Sequence, residues 1–307
     1  MRSQSLQALV LAFSSALGAA AVLTDSVYLL RLYTVYAFHT SLGLAVTLLF
    51  GVGNQVVICF GAIAGTSAYV AALTQVHAGL SPSVAVPLGL LSGTGLGVAL
   101  IRLASSWDLR GIRVGILTIL ASLAFEAVIL GNRSVTFGEV GLPVDDPLQS
   151  AGLSPIASLR TYAVLGLVLT ASASLLLHRV RGGRFWLLLT AAGQDPDLLK
   201  ANAISPARYM ELAAAAASFL AASSGLLYAF STGYISPSTF TLAESDIPAY
   251  LIAAMGGLGS PLGALLGGVV LLALKELTRA VGAASVAVYG LALLLVFSAR
   301  SRTLRRG

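Results

Sequence analysis

Runs of about twenty apolar residues follow one another along this chain, at 6–24, 30–50, 55–75, 83–104, 113–130, 160–178 and 210–230. Three more crowd into 246–258, 261–280 and 284–299. A helix needs roughly 20 apolar residues to cross the hydrocarbon core of a bilayer. Lipid offers no partner to an open backbone, so such runs must be helices. The fold class expected is therefore all-α, a polytopic transmembrane helical bundle of about ten spans. The run 246–258 is short and interrupted by glycine. A count of eight keeps the same parity if 246–280 forms one re-entrant unit and another weak span is lost. The first run follows Arg2 and looks at first like a secretory leader, but the spans behind it make it a first transmembrane helix.

Composition narrows the class further. The chain is 57% hydrophobic and 10% charged, against about 25% charged for a soluble domain. A cytosolic enzyme, a disordered chain and a nucleic-acid binder are excluded. The sequence pI of 9.7 does not point to nucleic acid, because the positives are scattered between apolar runs rather than clustered. Cys59 is the single cysteine. It excludes an intrachain disulfide, a CxxC redox pair and a cysteine zinc cluster, and its apolar surroundings read as those of a buried, inert thiol.

The connecting segments set orientation. Segment 102–113 carries Arg102, Arg110 and Arg113; segment 179–208 carries Arg179, Arg181, Arg184, Lys200 and Arg208; the tail carries Arg300, Arg302, Arg305 and Arg306. Segment 131–159 instead has Glu139, Asp145 and Asp146 against Arg133, and 231–246 has Glu244 and Asp246 with no positive. Positives concentrate on the cytoplasmic side. Both termini and 179–208 are accordingly expected inside, with 131–159 and 231–246 outside.

Catalytic constellations are scarce. His39, His77 and His178 lie on different segments, and no HExxH, GxSxG, Walker A or intramembrane carboxylate pair occurs. No catalytic residue, no metal site and no cofactor of the chain's own is expected. Polar groups at membrane depth are the remaining functional candidates. Glu126 is either an intramembrane functional acid or a group near the outer interface. Asn54 and Gln55, opening the third span, either line a polar path or cap a helix at the cytoplasmic surface. The stretch Gly256-Gly257-Leu258-Gly259-Ser260-Pro261 should break a helix inside protein or beside a water-filled path. In 179–208, Asp195 reads as a helix cap with Pro196 at the first helical position, and a short helix from about 196 to 203 should follow.

These residues resemble a known family, the LivM-type permease subunits of branched-chain amino acid ABC transporters (the LivH/LivM superfamily). The similarity runs through GQDPDLLKANAIS with Arg208, where Ala203 replaces the family's usual glycine. It continues through Gly225-Leu226-Leu227-Tyr228-Ala229 and Tyr234-Ile235-Ser236-Pro237 with Phe240. It extends to Met255–Ser260 with Gly263 and Gly267, and to Tyr289-Gly290-Leu291 through Phe297. It is strongest from about 184 to 300. Earlier, the family's SLGHAAF centre reads Val57-Ile58-Cys59-Phe60.

The resemblance implies one permease domain over 1–307, in the plasma (inner) membrane of a prokaryote. The implied partners are a sister permease subunit, two ATP-binding cassette subunits that use the ATP, an external solute-binding protein and the lipid bilayer, with no nucleic acid. It makes 179–208 a coupling loop, with Asp195, Asp197, Leu198, Leu199, Lys200 and Arg208 facing the ATPase. Asn54, Gln55, Glu126, Gly256, Gly257 and Gly259 become candidates for the translocation path. Permeases of the same superfamily for urea, other amino acids or sugars are alternatives, and a secondary transporter driven by H⁺ or Na⁺ is a rival. That rival predicts several intramembrane acids, where Glu126 alone qualifies.

Overall fold

The computed structural model describes residues 26–278, together with Ala20 and Leu291. The runs at 6–24 and 284–299 lie outside the described residues. In chain order the main helices are α1 (Val27–Leu49), α2 (Phe60–Ala78), α3 (Pro82–Ser106), α4 (Ile112–Gly131), α5 (Pro155–Val180), α6 (Arg184–Gln194), α7 (Pro196–Ala201), α8 (Pro206–Thr232), α9 (Ile247–Gly256) and α10 (Pro261–Thr278). Five of them, α1, α3, α4, α5 and α8, are long and apolar enough to cross a membrane. The ends have local causes. Proline stands in the first turn of α3, α5 and α8, where its missing N–H matters least. Gly79 and Gly233 close α2 and α8 in the left-handed conformation.

Burial sorts the helices into a centre and a rim. In α1 89% of the most apolar window is buried, and in α8 61%, whereas α3, α4 and α5 stand at 22–28%. The two central helices pack on each other and on α2, α5, α9 and α10. Close approach rests on small residues. A Cβ added at Gly89, Gly93 or Gly97, one turn apart on α3, would meet Ser67, Ile63 or Ser218 on α2 and α8. Gly95, on the opposite face of the same helix, meets nothing within 4 Å.

Side-chain and backbone contacts define two ends. At one, Arg110 before α4 pairs with Asp197 of α7 at 3.3 Å, and Asn54 donates to the Gly193 carbonyl at 3.3 Å. At the other, β1 (Leu142–Pro143) and β2 (Tyr234–Ile235) form an antiparallel ladder, and Tyr234 donates to the Val140 carbonyl. Segments 102–113 and 179–208 thus share the basic end, and 131–159 shares the far end with the start of 231–246. At the far end Asp146 caps a one-turn helix at Pro147–Ser150 and accepts from Tyr162 at 2.6 Å. Burial pushes its carboxyl up. Donors from Ser158, Tyr162, Leu148 and Gln149 outweigh that and hold it below the usual range.

Segment 231–246 does not stay at the far end, as its acidic character suggests. Beyond β2 it descends into the bundle through a 3₁₀ turn, Pro237–Phe240, and a π turn, Leu242–Asp246. Phe240 and Asp246 are both 0% exposed. α9 carries the chain on to Gly257 and Gly259, at φ 101° and 77°, and a Cβ at Gly51 of the basic end would meet Gly259. α10 then runs back along α1, where Tyr36 donates to the Leu265 carbonyl at 3.2 Å. The short run 246–258 is therefore the helical half of one broken crossing, 234–256, whose upper half runs through the 3₁₀ and π turns.

Candidate functional site

Two interrupted crossings meet inside the bundle. Residues 54–59 enter from the basic end as irregular chain, so α2 starts at Phe60 and not at 55. Residues 236–246 enter from the other end before α9 begins. Non-helical backbone at membrane depth must find its partners inside the protein, and here it does. Val57 N–H donates to the Tyr250 hydroxyl, which donates in turn to the Val57 carbonyl, both at 3.0 Å. Ile58 N–H donates to Thr118 Oγ1 at 2.9 Å. The first-turn amides of α2, Phe60 and Gly61, donate to Asp246 Oδ1 at 2.8 and 3.3 Å. Asp246 heads α9 yet caps α2, with its carboxylate facing that helix's positive end.

Phe240 lies beside this junction. Its ring centroid stands 6.1, 6.3 and 6.4 Å from those of Phe38, Tyr69 and Tyr228. Asp246 Oδ2, Ser67 Oγ, Tyr69 Oη and His39 Nδ1 are buried without a hydrogen-bond partner among the described residues. Orphaned buried polar atoms are rare enough in folded proteins to mark a site that something else completes.

The candidate residues divide into groups. Asn54, at φ 50°, is exposed, and with Gln55 it lies at the basic end. Gln55 lines a cavity of about 450 Å³ there with Arg110, Lys200 and Met210. Gly256, Gly257 and Gly259 form the turn between α9 and α10 at the same end. Glu126 stands apart, half-buried near the far end of α4.

In segment 179–208, Asp195 accepts from Leu198 N–H at 3.1 Å and opens α7. Asp197 is held by Arg110 and by Lys200, the latter at 3.5 Å, and Arg110 keeps its carboxyl below the usual range. These groups are 40–69% exposed, so each pair adds little stability and mainly fixes α7 against segment 102–113. Arg208 is exposed in the first turn of α8. The two leucines split. Leu198 is 55% exposed, whereas Leu199 is 5% exposed and packs into the chain's own core. Leu199 therefore anchors α7 to this chain, and Leu198 is the large apolar group that α7 presents outward.

Ala203 ends this segment at φ 57°, a left-handed conformation that strains an L side chain by about 1 kcal/mol. Ala203→Gly is expected to raise stability by about that amount, read as a higher melting temperature of the detergent-purified chain. An unchanged or lower melting temperature would show that no strain is stored there.

The family model described as the branched-chain amino acid transport system permease component matches residues 27–297. The chain belongs to this family. The permease is 26% identical over 275 residues to the high-affinity branched-chain amino acid transport system permease protein LivM of Salmonella typhimurium, and 25% identical to that of Escherichia coli. Each alignment covers 80% of this chain and 62% of the relative, so the permease matches about three fifths of their length. A solved structure described as an inward-facing conformation of a metal-chelate type ABC transporter aligns with a TM-score of 0.50 at 16% identity. That alignment covers 99% of the permease and 100% of the solved chain, and it speaks for a shared fold.

The permease's Asp246 was not legible as a site residue. Its one local signal is an acid placed immediately before Ile247-Pro248 and an apolar run, the pattern of a helix start. That pattern names the helix Asp246 precedes, not the one it caps.

Proposed function

We infer that this chain is the membrane-spanning permease subunit of an ABC importer. It moves branched-chain or related amino acids across the plasma membrane of a prokaryote and uses ATP hydrolysed on separate subunits. The observation that carries the reading is the family match over nearly the whole chain. The assembly proposed is a pair of permeases, this chain with a sister subunit, two ATP-binding cassette subunits and an external solute-binding protein. About ten spans, with both termini cytoplasmic, would place every basic segment inside. The chain itself would need no cofactor.

Coupling would run through α7. This helix is capped, sits at the basic end and is tied through Arg110 to the start of α4 and through Leu199 to the core. Motion imposed on it would reach both. A helix docked in a groove depends on a few apolar anchors, and Leu198 is the exposed one. Leu198→Asp is expected to cut ATP-driven leucine uptake in proteoliposomes at least about tenfold and to abolish co-purification of the ATPase, as for a charge placed in a dry contact. The chain should still insert, since no span is touched. A variant that bound the ATPase as tightly as the parent would refute the coupling role.

A further inference from the structure

A second polar cluster, adjoining the Asp246 junction through Phe38, His39 and Tyr228, lines a cavity of about 390 Å³ that Ser238, Thr239, Glu244 and Lys275 also bound. Lys275 Nζ stands 2.9 Å from His39 Nε2 and 3.5 Å from Glu244 Oε2. Lys275 is one of two lysines in the chain. His39 lies near the middle of α1, so the cluster sits deep in the bundle. Opposite charges at that depth, in a chain 10% charged, are functional candidates by default.

We propose that this cavity binds the zwitterion of a free apolar α-amino acid, with its carboxylate on Lys275 and its ammonium on Glu244. The proposal rests on the amino-acid importer reading above and names the groups that would recognise the substrate. Geometry supports it in three ways. The Lys275–Glu244 separation is longer than the roughly 2.7–2.9 Å of a strong charge-assisted bond, and a zwitterion would replace that one loose pair by two close ones. Glu244 is 42% exposed, against 20% for Lys275, so the acid is accessible to a ligand. The adjoining wall is apolar and aromatic, with Phe38 and Tyr228 rings 5.0 Å apart, and can cover an aliphatic side chain. The volume lies within the range of about 300–1,000 Å³ usual for small-molecule sites. Neutral urea or a neutral sugar could offer this pair of opposite charges hydrogen bonds but no opposite charge.

The test uses the full chain assembled with its partner subunits in proteoliposomes. Ser238→Cys places a reporter thiol on the cavity rim, where Ser238 is exposed. Cys59 is fully buried, so the parent chain is the blank. L-leucine is expected to slow labelling of the reporter by a polar thiol reagent severalfold. Two single-charge analogues, 4-methylpentanoate without the ammonium and 3-methylbutylamine without the carboxylate, should not protect. Lys275→Met and Glu244→Gln, each combined with the reporter, should lower the apparent leucine affinity at least about tenfold, as removing one partner of a close charge pair does. Co-purification of the ATPase shows that each variant has folded. Equal protection by leucine and its analogues, or full protection in both variants, overturns the proposal. Leucine uptake without any protection overturns the cavity alone and leaves the importer reading standing. Absence of both uptake and protection in an assembled complex overturns the amino-acid reading as well.

Discussion

Asp246→Ala is expected to destabilise the bundle by about 2–6 kcal/mol, because two buried amides lose their acceptor at about 1–3 kcal/mol each. Both amides use Asp246 Oδ1 as their acceptor, at a residue that is 0% exposed. Asp246→Asn keeps an oxygen in the same place and should retain more than half of that stability. Thermal melting of the purified chain in detergent distinguishes the two. A neutral Asp246→Ala would mean that α2 does not need this cap. An Asn variant as weak as the Ala variant would shift the role from the acceptor to the charge.

The second large effect comes from one methyl group placed at two glycines. Gly256→Ala puts a Cβ against backbone atoms of Gly263 and Ala264 at the turn between α9 and α10. No side chain there can move aside, so a loss of about 1–3 kcal/mol is expected, as for an overpacked core. Gly95→Ala meets nothing within 4 Å and should gain about 0.5–1 kcal/mol, because a helical glycine is replaced by a better helix former. The two variants should melt on opposite sides of the parent. Equal shifts would show that the turn is loosely packed.

The long helices were legible because a spanning segment needs only enough consecutive apolar residues, and hydropathy reports that directly. α3, α4, α5 and α8 fall within a few residues of the runs at 83–104, 113–130, 160–178 and 210–230. The α7 cap was legible too, since Asp195 and Pro196 act on their own neighbours. The junction was not. Asp246 acts on Phe60, and Tyr250 on Val57, across more than 180 residues of chain, and no local pattern encodes such a pairing. Acidity in 231–246 suggested water, whereas burial of Asp246 is made tolerable by two amides from another helix. For the same reason Leu198 and Leu199 look equivalent in sequence, and packing alone tells them apart.

The half-helical crossing at 234–256 also bears on the order in which the protein is made. Spans enter the bilayer one after another according to their apolar length. This stretch contains Pro237, Glu244, Asp246 and Pro248, and its first half exposes backbone that lipid cannot satisfy. It therefore cannot wait in the membrane by itself. Its polar walls are the start of α2, the middle of α1 and the end of α8, all of which precede it in the chain. Synthesis from the N-terminus builds that cradle first and delivers the occupant afterwards, with α10 following it to pack over α9 and α1. Moving the coding order, as a circular permutation beginning at β2 would, sends the occupant into the bilayer before its cradle exists.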